Sequence, residues 1–266
     1  MTPSAITSRD NPLLKRLRLL AQDSTAYRKH RQVWLEGDHL CRALLARGHR
    51  PATAVFTESF WAQAPHDLRD ASDHVVTVPA ALMASISGLE SPSGVGFVWD
   101  LPATGGLEPG RASVVLDRLQ DAGNVGSILR SAAAFGFGQV LALKGTAALW
   151  SPKVVRAGMG AHFSLKLIEG LSVDDLSALG VPLIVTSSHQ GEWLHRSVLP
   201  RPCAWVLGHE GQGVSTLLEA LADRAVRIAQ PGGEESLNVA AAAAICLHAS
   251  VVGEGAGGSL PLGAGL

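Results

Sequence analysis

The sequence predicts an α/β protein with two domains, a small α/β domain over residues 1–100 and a larger one over residues 112–252, joined by a linker at 101–111. Three observations lead to this prediction. The composition is 47% hydrophobic, which is enough for a packed core. Proline and glycine are concentrated between Trp99 and Arg111, as in a linker. From Ala112 onward, short apolar runs alternate with helical patterns, which is typical of a parallel sheet with helices on both faces.

The first domain is predicted to begin with helices and to continue as a small sheet. Residues 12–47 are interpreted as helical because leucines recur at helical spacing near their start and a second helical pattern stops at Gly48. Apolar runs at Thr53–Phe56 and His74–Val78 predict strands.

The second domain is predicted to alternate strands with helices and to end in a flexible tail at residues 253–266. Because ligands bind at the carboxyl ends of strands in such sheets, the loops after the strands are expected to hold the chemistry. Strands are predicted over Ser113–Leu116, Val140–Leu143, Leu183–Ser187, Ala204–Leu207 and Ala225–Ile228, and helices over Val125–Phe135, Val214–Ala222 and Leu237–Val251.

Several classes of protein are disfavoured by the composition. Cys41, Cys203 and Cys246 are far apart and form no CxxC pair, so we interpret them as core residues and not as disulfide partners or zinc ligands. No apolar run reaches the roughly 18–20 residues of a membrane-spanning helix. The polar N-terminus lacks the apolar core of a signal peptide. We therefore expect a cytoplasmic protein. No cluster of His, Cys and Asp has the spacing of metal ligands, so we expect no bound metal.

Positive charge is concentrated at the N-terminus. The first fifty residues carry ten Lys or Arg against four acids, a net +6, whereas the remainder of the chain carries −7. Such segregation favours a basic face that meets phosphates, although an ordinary solvated helix surface explains it as well. The candidate contacts with the phosphates of a nucleic acid are Arg9, Lys15, Arg16, Arg18, Arg28 and Arg31.

A first candidate segment, Asp117–Arg130, joins a predicted strand to a predicted helix. Asn124 follows a glycine that allows a tight turn, and it is either the N-cap of the helix or a site residue. Arg130 stands in the small and apolar stretch ILRSAAA, where a guanidinium needs an anionic partner.

Two further segments also join a strand to a helix. Leu207–Gly213 (LGHEGQG) has glycines that let backbone amides approach a ligand, although a tight connection is an equally good reading. Its glycine spacing is not that of a dinucleotide fingerprint, and it lacks the lysine of a P-loop. In the third segment, Ile228–Val239, Ser236 is the N-cap candidate and Asn238 is expected in the first helical turn.

Taken together, the strings NVGSILRSAAAFG, LGHEGQG and SLNVAAAAAICL resemble the three signature motifs of the SpoU-type (TrmH family) RNA ribose 2′-O-methyltransferases of the SPOUT class, over about residues 112–250. The strings ITSRDNPLLKRLRLL and EGDHL resemble, more loosely, the substrate-binding domain that often precedes them. Two departures are Ala229-Gln230, where the family often has Pro-Met, and Ala240, where a serine often follows SLNV. Both leave the polar candidates intact.

This resemblance implies S-adenosylmethionine as methyl donor, an RNA ribose 2′-hydroxyl as acceptor, a C-terminal trefoil knot and a homodimer through the C-terminal domain. The catalytic candidates are Arg130, Asn124, Glu210, Ser236 and Asn238. Although the arginine is often written as a base in this family, an arginine is effectively always protonated. We therefore expect Arg130 to bind the adjacent phosphate and stabilise the developing alkoxide, with Glu210 pairing with it or placing the ribose.

The position of residues in the motifs also suggests the cofactor contacts, namely Thr186, Ser187, Gly208, Ile228 and Leu237. Gly208 is expected to let the backbone approach the cofactor, and Ile228 and Leu237 to flank its adenine. Four histidines, His162, His189, His195 and His209, are acid–base candidates, for which a surface or supporting role is the preferred interpretation.

Ribosomal RNA is the expected substrate, with transfer RNA as the alternative. A non-catalytic RNA-binding protein on the same fold is a second hypothesis, against which the intact polar residues count. A small-molecule α/β enzyme with a nucleotide cofactor is a third, disfavoured by the missing G-x-G-x-x-G and P-loop patterns.

Overall fold

The computed structural model describes residues 2–103, 105–187, 190–232 and 236–252, and the chain divides into two compact units. The first comprises the described residues of 1–104 together with 148–164, and the second those of 105–147 and from 165 onward. The change of unit after residue 104 falls within the predicted linker, but residues 148–164, expected in the second domain, pack with the first. The predicted tail at 253–266 lies outside the described residues.

The first unit contains a mixed five-stranded sheet with the strand order β1-β4-β3-β5-β2. β1, β4 and β3 pair in parallel, whereas β5 pairs antiparallel with both β3 and β2. The strands are β1 (Ser4–Ala5), β2 (Gln32–Glu36), β3 (Thr53–Thr57), β4 (Val75–Val78) and β5 (Val95–Asp100). The helices are α1 (Pro12–Gln22), α2 (Ala26–His30), α3 (Asp38–Ala46), α4 (Glu58–Gln63), α5 (His66–Arg69), α6 (Ala80–Ile86) and, from the later segment, α8 (Pro152–Gly158).

The helical interpretation of residues 12–47 is correct at both ends and wrong in the middle. α1 begins where the Asn11 side chain accepts from the Leu13 amide (2.9 Å), and it buries leucines at helical spacing. Between α2 and α3, however, lies β2, whose last four residues are all buried. A strand buried on both faces shows no alternation of apolar and polar residues, so periodicity did not indicate it.

The second unit contains a seven-stranded, fully parallel sheet with the order β10-β12-β9-β11-β6-β7-β8. All five strands predicted for this domain are present, while β8 and β10 were not predicted. The strands are β6 (Ser113–Leu116), β7 (Gln139–Leu143), β8 (Lys166–Leu171), β9 (Leu183–Thr186), β10 (Glu192–Trp193), β11 (Ala204–Leu207) and β12 (Arg224–Arg227), and the helices are α7 (Ala122–Ala134), α9 (Thr216–Leu221) and α10 (Val239–Val252).

Helices flank this sheet, as the alternating pattern predicted. Val206 and Ala204 of β11 belong to an apolar cluster with Leu218 of α9. Successive residues of a strand face opposite sides, so Trp205 points to the other face. There its indole donates to the hydroxyl of Ser250 in α10 (2.9 Å), which anchors the last helix to the central strand.

The three cysteines lie in the core of the protein. Cys41, Cys203 and Cys246 are buried and form no disulfide, and burial raises the pKa of Cys203 to about 11 and that of Cys246 to about 12. They are core residues, as expected. Within the described ranges, no helix combines the length and the apolar character that crossing a bilayer requires.

Candidate functional site

Three loops meet at the carboxyl edge of the parallel sheet, and they are the loops that contain the three sequence segments. They follow β6, β11 and β12 and lead into α7, α9 and α10 respectively. Because parallel strands end at one edge, their loops converge there. The third loop is described except at residues 233–235.

Glu210 is the point at which the first two loops are joined. Its carboxylate accepts from the backbone amides of Gln120 (3.2 Å) and Asp121 (3.0 Å) and from the side-chain amide of Asn124 (3.3 Å). The carboxylate thus holds the turn that precedes α7 in one conformation.

The third loop joins this network through Asn238. Its side-chain amide donates to the carbonyl oxygen of Asn124 (2.9 Å), while its own side-chain oxygen accepts from Ala240 (2.9 Å) and Ala241 (3.2 Å). We call the chain of hydrogen bonds through Glu210, Asn124 and Asn238 the amide relay. It links the start of α7 to the start of α10.

Two helix caps predicted from the sequence are wrong. Asn124 is not the N-cap of α7, because that position is Asp121, whose carboxylate accepts from the Asn124 amide (2.7 Å). Ser236 does not cap α10, because Asn238 lies immediately before the helix and bonds its first free amides. The side chains of Asn124 and Asn238 are thereby directed at each other and not at isolated helix ends.

Glu210 is ionised at neutral pH. Partial burial raises the pKa of its carboxyl, but hydrogen bonds from the Asp121, Glu210 and Gln120 amides and from Asn124 outweigh that effect and hold the pKa below the usual value. A carboxylate with a lowered pKa is a weak base, so its contribution is to hold the loops and to supply negative charge.

Gly208 has a structural function in the turn after β11. A Cβ built on it would lie 2.2 Å from the carbonyl carbon of Gly213 and 2.2 Å from the nitrogen of Val214. The turn closes on itself here, and Gly213 also has a positive φ of 71° and donates to the His209 carbonyl (2.8 Å). Gly208 is therefore required by the packing of the loop on itself, and the predicted approach of its backbone to a cofactor stays a prediction.

Arg130 is exposed on α7, and within the described residues its guanidinium has no hydrogen bond or ion pair. The expected pairing with Glu210 is absent. Helix geometry gives the reason, because Arg130 lies six residues beyond Asn124, about 9 Å along the axis and about 120° around it. Among the described residues nothing pairs with its cation, which suits a role in meeting an external anion.

Comparison with known proteins gives this geometry a context. Residues 111–248 match the model of the SpoU rRNA Methylase family. A protein of Synechocystis sp. named as an uncharacterized tRNA/rRNA methyltransferase is 34% identical over 92% of both chains. The 23S rRNA (guanosine(2553)-2′-O)-methyltransferase RlmP of Bacillus subtilis is 30% identical over 80% of this chain and 86% of its own.

The chain belongs to the SpoU rRNA methylase family. Solved structures agree with this placement. A TrmH-family structure from Porphyromonas gingivalis superposes with a TM-score of 0.78 at 32% identity, covering 91% of this chain and 97% of that one. An AdoMet-bound rRNA methyltransferase from Sinorhizobium meliloti superposes with a TM-score of 0.79 at 26% identity, covering 93% and 97%. The predicted family, methyltransferase activity and cofactor are thus confirmed at the level of the SpoU family.

Four of the five candidate cofactor residues lie at the carboxyl ends of the neighbouring strands β9, β11 and β12, and the fifth, Leu237, lies shortly before α10. Thr186 ends β9 and Ser187 follows it, with the Ser187 hydroxyl accepting from the Gln190 amide (3.1 Å). Ile228 follows β12 and is half-buried, and Leu237 is 39% exposed. Both aliphatic side chains are therefore accessible, and their assignment to the cofactor stays a prediction.

The candidate RNA contacts of the first unit are partly engaged within the protein. Lys15 pairs with Asp10 (3.0 Å), and the Arg18 guanidinium donates to the Arg9 carbonyl (3.2 Å). Buried Nε of Arg16 has no partner among the described residues. The remaining two arginines are exposed, with Arg28 donating to the Tyr27 hydroxyl (3.1 Å) and Arg31 to the Pro102 carbonyl (2.6 Å). Exposed pairs of this kind are weak enough to exchange for a phosphate.

The four histidines differ in environment. His162 is buried in the first unit, where its Nε2 bonds the Leu149 carbonyl (2.8 Å) and burial lowers its pKa to about 4. His209 accepts from the Gly211 amide (3.0 Å) within its own turn, and His195 is exposed. His189 lies outside the described residues. For the described part of the chain, no group of three or more His, Cys, Asp or Glu is arranged to hold a metal ion.

Asp117 and Arg118 contact the second site loop and were not predicted as site residues from the sequence. Asp117 is buried and accepts from the Ser215 amide (2.7 Å). Arg118 has a φ of 60°, uncommon for a residue with a side chain, and it donates to both Asp117 (3.0 Å) and Gln212 (3.2 Å). The sequence did contain a signal for these residues, namely a charged residue directly after an apolar strand. A charge can follow a buried strand only where the strand reaches the edge of the sheet.

Proposed function

We propose that the protein methylates the 2′-hydroxyl of a ribose in ribosomal RNA, with S-adenosylmethionine as methyl donor. The observation that carries this proposal is the amide relay, which ties together the three SpoU motif loops. Arg130, on the helix that the first loop begins, is exposed and has no protein partner in the described chain. Two of the relatives support ribosomal RNA, because RlmP and the S. meliloti protein are both named as rRNA methyltransferases.

The residues divide the work as follows. S-adenosylmethionine supplies an electrophilic methyl group. Arg130 would bind the phosphate next to the reacting ribose and stabilise negative charge on the 2′-oxygen as its proton passes to solvent water. The new O–CH3 bond replaces the S–CH3 bond of the sulfonium, which leaves as a neutral thioether. The relay fixes the loops around that oxygen, so that little reorganisation is needed during the reaction. Glu210 acts as a positioning residue, since its carboxylate is occupied by three donors.

The cofactor contacts belong to the same proposal. Backbone groups of the Gly208–Gly213 turn would hold the cofactor, with Ile228 and Leu237 on its adenine. The exposed fraction of Leu237, 39%, supports this assignment, because an aliphatic side chain left in water at a site edge gains from covering a purine.

Further elements of the family pattern are proposed on separate grounds. α10 follows β12 but packs on α7 and β11, and this return of the last segment supports a C-terminal knot. α10 carries no Lys, Arg, Asp or Glu, and its outward residues Ile245 and Val252 are 41% and 46% exposed. That apolar face supports a homodimer through the second unit. We also propose a cytoplasmic location and an RNA-binding function for the first unit.

Mapping 2′-O-methylation in total RNA with and without the protein tests the activity. We expect one or a few ribosomal positions to lose the modification when the protein is absent. A modified position in transfer RNA would change the substrate, and the absence of any change in RNA would reject the proposal.

Arg130→Lys tests the role of the guanidinium. We expect turnover to fall at least tenfold while S-adenosylmethionine affinity is unchanged, because lysine cannot form the bidentate contact with phosphate. Arg47→Lys, an equally conservative change at an exposed arginine of the first unit, is the matched control. Near-normal turnover of the Arg130 variant would contradict the assigned role.

A further inference from the structure

The open edge of the seven-stranded sheet carries an aromatic and basic surface that the proposed chemistry does not use. β10 is the last strand on this side and pairs with β12. Trp193 ends β10, Arg227 ends β12, and the two residues are register partners. Partners in a ladder point to the same face, so the two side chains lie side by side at the carboxyl edge, where the site loops also begin.

Trp193 is held in place and yet remains accessible. The guanidinium carbon of Arg227 lies 4.2 Å from the centre of its ring, and Nε of Arg227 donates to the Gly191 carbonyl (3.1 Å). The His195 ring lies 6.3 Å away at an interplanar angle of 28°. Trp193 is nevertheless 37% exposed and is the most accessible of the six tryptophans. An indole fixed in this way loses little conformational freedom when a planar ligand covers it.

The surroundings of this indole are positive. Residues 191–198 and 224–227 contain three arginines and one acid, Glu192. The Glu192 carboxylate accepts from the Ser197 hydroxyl (3.2 Å), whereas exposed Arg196 forms no ion pair within the described ranges. Arg224 and Arg227 donate to the backbone carbonyls of Val198 (2.7 Å) and Gly191 (3.1 Å), and no described acid pairs with them. An aromatic ring in a segment with such cations suits a ligand that alternates planar groups with negative charges.

We propose that Trp193, steadied by Arg227, stacks on an unpaired base of the RNA substrate, with Arg196 on a neighbouring phosphate. This inference rests on the proposed function in that it takes the ligand to be RNA. Single-stranded nucleic acids are bound by stacking bases on aromatic side chains while cations follow the backbone. β10 lies three strand spacings from β11, about 14 Å, so the stacked base is a few nucleotides from the reacting ribose.

Binding of a short unpaired RNA to the full chain tests the stack. Trp193→Ala should weaken this affinity about 5- to 160-fold, the range for loss of one base–aromatic stack, and Trp193→Phe should restore most of it. A fully paired RNA of the same charge should lose little affinity, because its base faces are already covered. Val198→Ala, at a side chain in the same segment that is 85% exposed, is the matched control and should bind as the wild type does.

Salt dependence separates the two contributions. Arg196→Gln should lower the slope of log affinity against log salt by about 0.7 for a single strand, whereas Trp193→Ala should leave the slope unchanged. An unchanged slope for the arginine variant would remove Arg196 from the surface.

Three results would overturn the assignment of Trp193. These are wild-type affinity of Trp193→Ala for unpaired RNA, weakened binding of S-adenosylmethionine by that variant, or a shift of its sedimentation from dimer to monomer with RNA binding retained. The proposed function fails separately. A wild-type protein that binds unpaired RNA through Trp193 but methylates none would reject the activity and leave the stack in place.

Discussion

Asn238→Ala is the change that most directly tests the amide relay. The Asn238 side chain caps α10 through the amides of Ala240 (2.9 Å) and Ala241 (3.2 Å) and donates to Asn124 (2.9 Å). Loss of an N-cap costs about 1 kcal/mol, and loss of a further hydrogen bond costs about 0.5–1.5 kcal/mol. We therefore expect the free energy of unfolding to fall by about 1–3 kcal/mol.

Asn238→Asp separates the two contributions. A carboxylate still caps α10 and interacts favourably with the helix N-terminus, so unfolding should change by less than about 1 kcal/mol. The carboxylate cannot donate to Asn124, however. If Asn124 rotates its amide to meet the new acid, its carbonyl oxygen faces Glu210, so one bond of the relay is lost in either arrangement. Turnover should fall about tenfold, which corresponds to about 1.4 kcal/mol.

Urea denaturation and methyl transfer to total ribosomal RNA measure the two effects. Asn11→Ala removes a cap of the same type from α1 and is the control for the cap contribution alone. An Asn238→Ala protein as stable as the wild type would refute the capping argument. Full turnover of Asn238→Asp would show that the relay does not position the site.

Three further predictions concern other parts of the molecule. Burial lowers the pKa of His162 from 6.5 to about 4, so its neutral form stabilises the fold above pH 6.5, and about 3 kcal/mol should be lost as the pH falls towards 4; a His162→Phe protein with the same pH dependence of unfolding would contradict this. Gly208→Ala should destabilise by about 1–3 kcal/mol because its Cβ meets backbone, whereas Gly211→Ala, with its nearest neighbour at 3.9 Å, should be nearly neutral; equal urea midpoints would be the contrary result. Ile245→Glu should convert the proposed dimer to monomer in sedimentation experiments, and an unchanged mass would rule α10 out as the interface.

Much of the second unit followed from local sequence alone. Its five predicted strands are present because each is a short apolar run bounded by turn residues, and such a run has few alternatives once it must be buried. β10 was not predicted because two residues are too few to show a pattern. In the first unit, β2 was not predicted because a buried strand between two helices shows no alternation of apolar and polar residues.

The sequence by itself determined the family, the three motif loops and the identity of the polar residues within them. It could not determine which atoms meet. Asn124 and Glu210 are 86 positions apart, and Asn124 and Asn238 are 114 apart. The parallel sheet ends its strands at one edge, and this brings three loops that are distant in sequence close enough to form one relay. The structure also shows that the helix caps are Asp121 and Asn238. Arg130 does not pair with Glu210, because a helix fixes the direction of each side chain by its position along the axis.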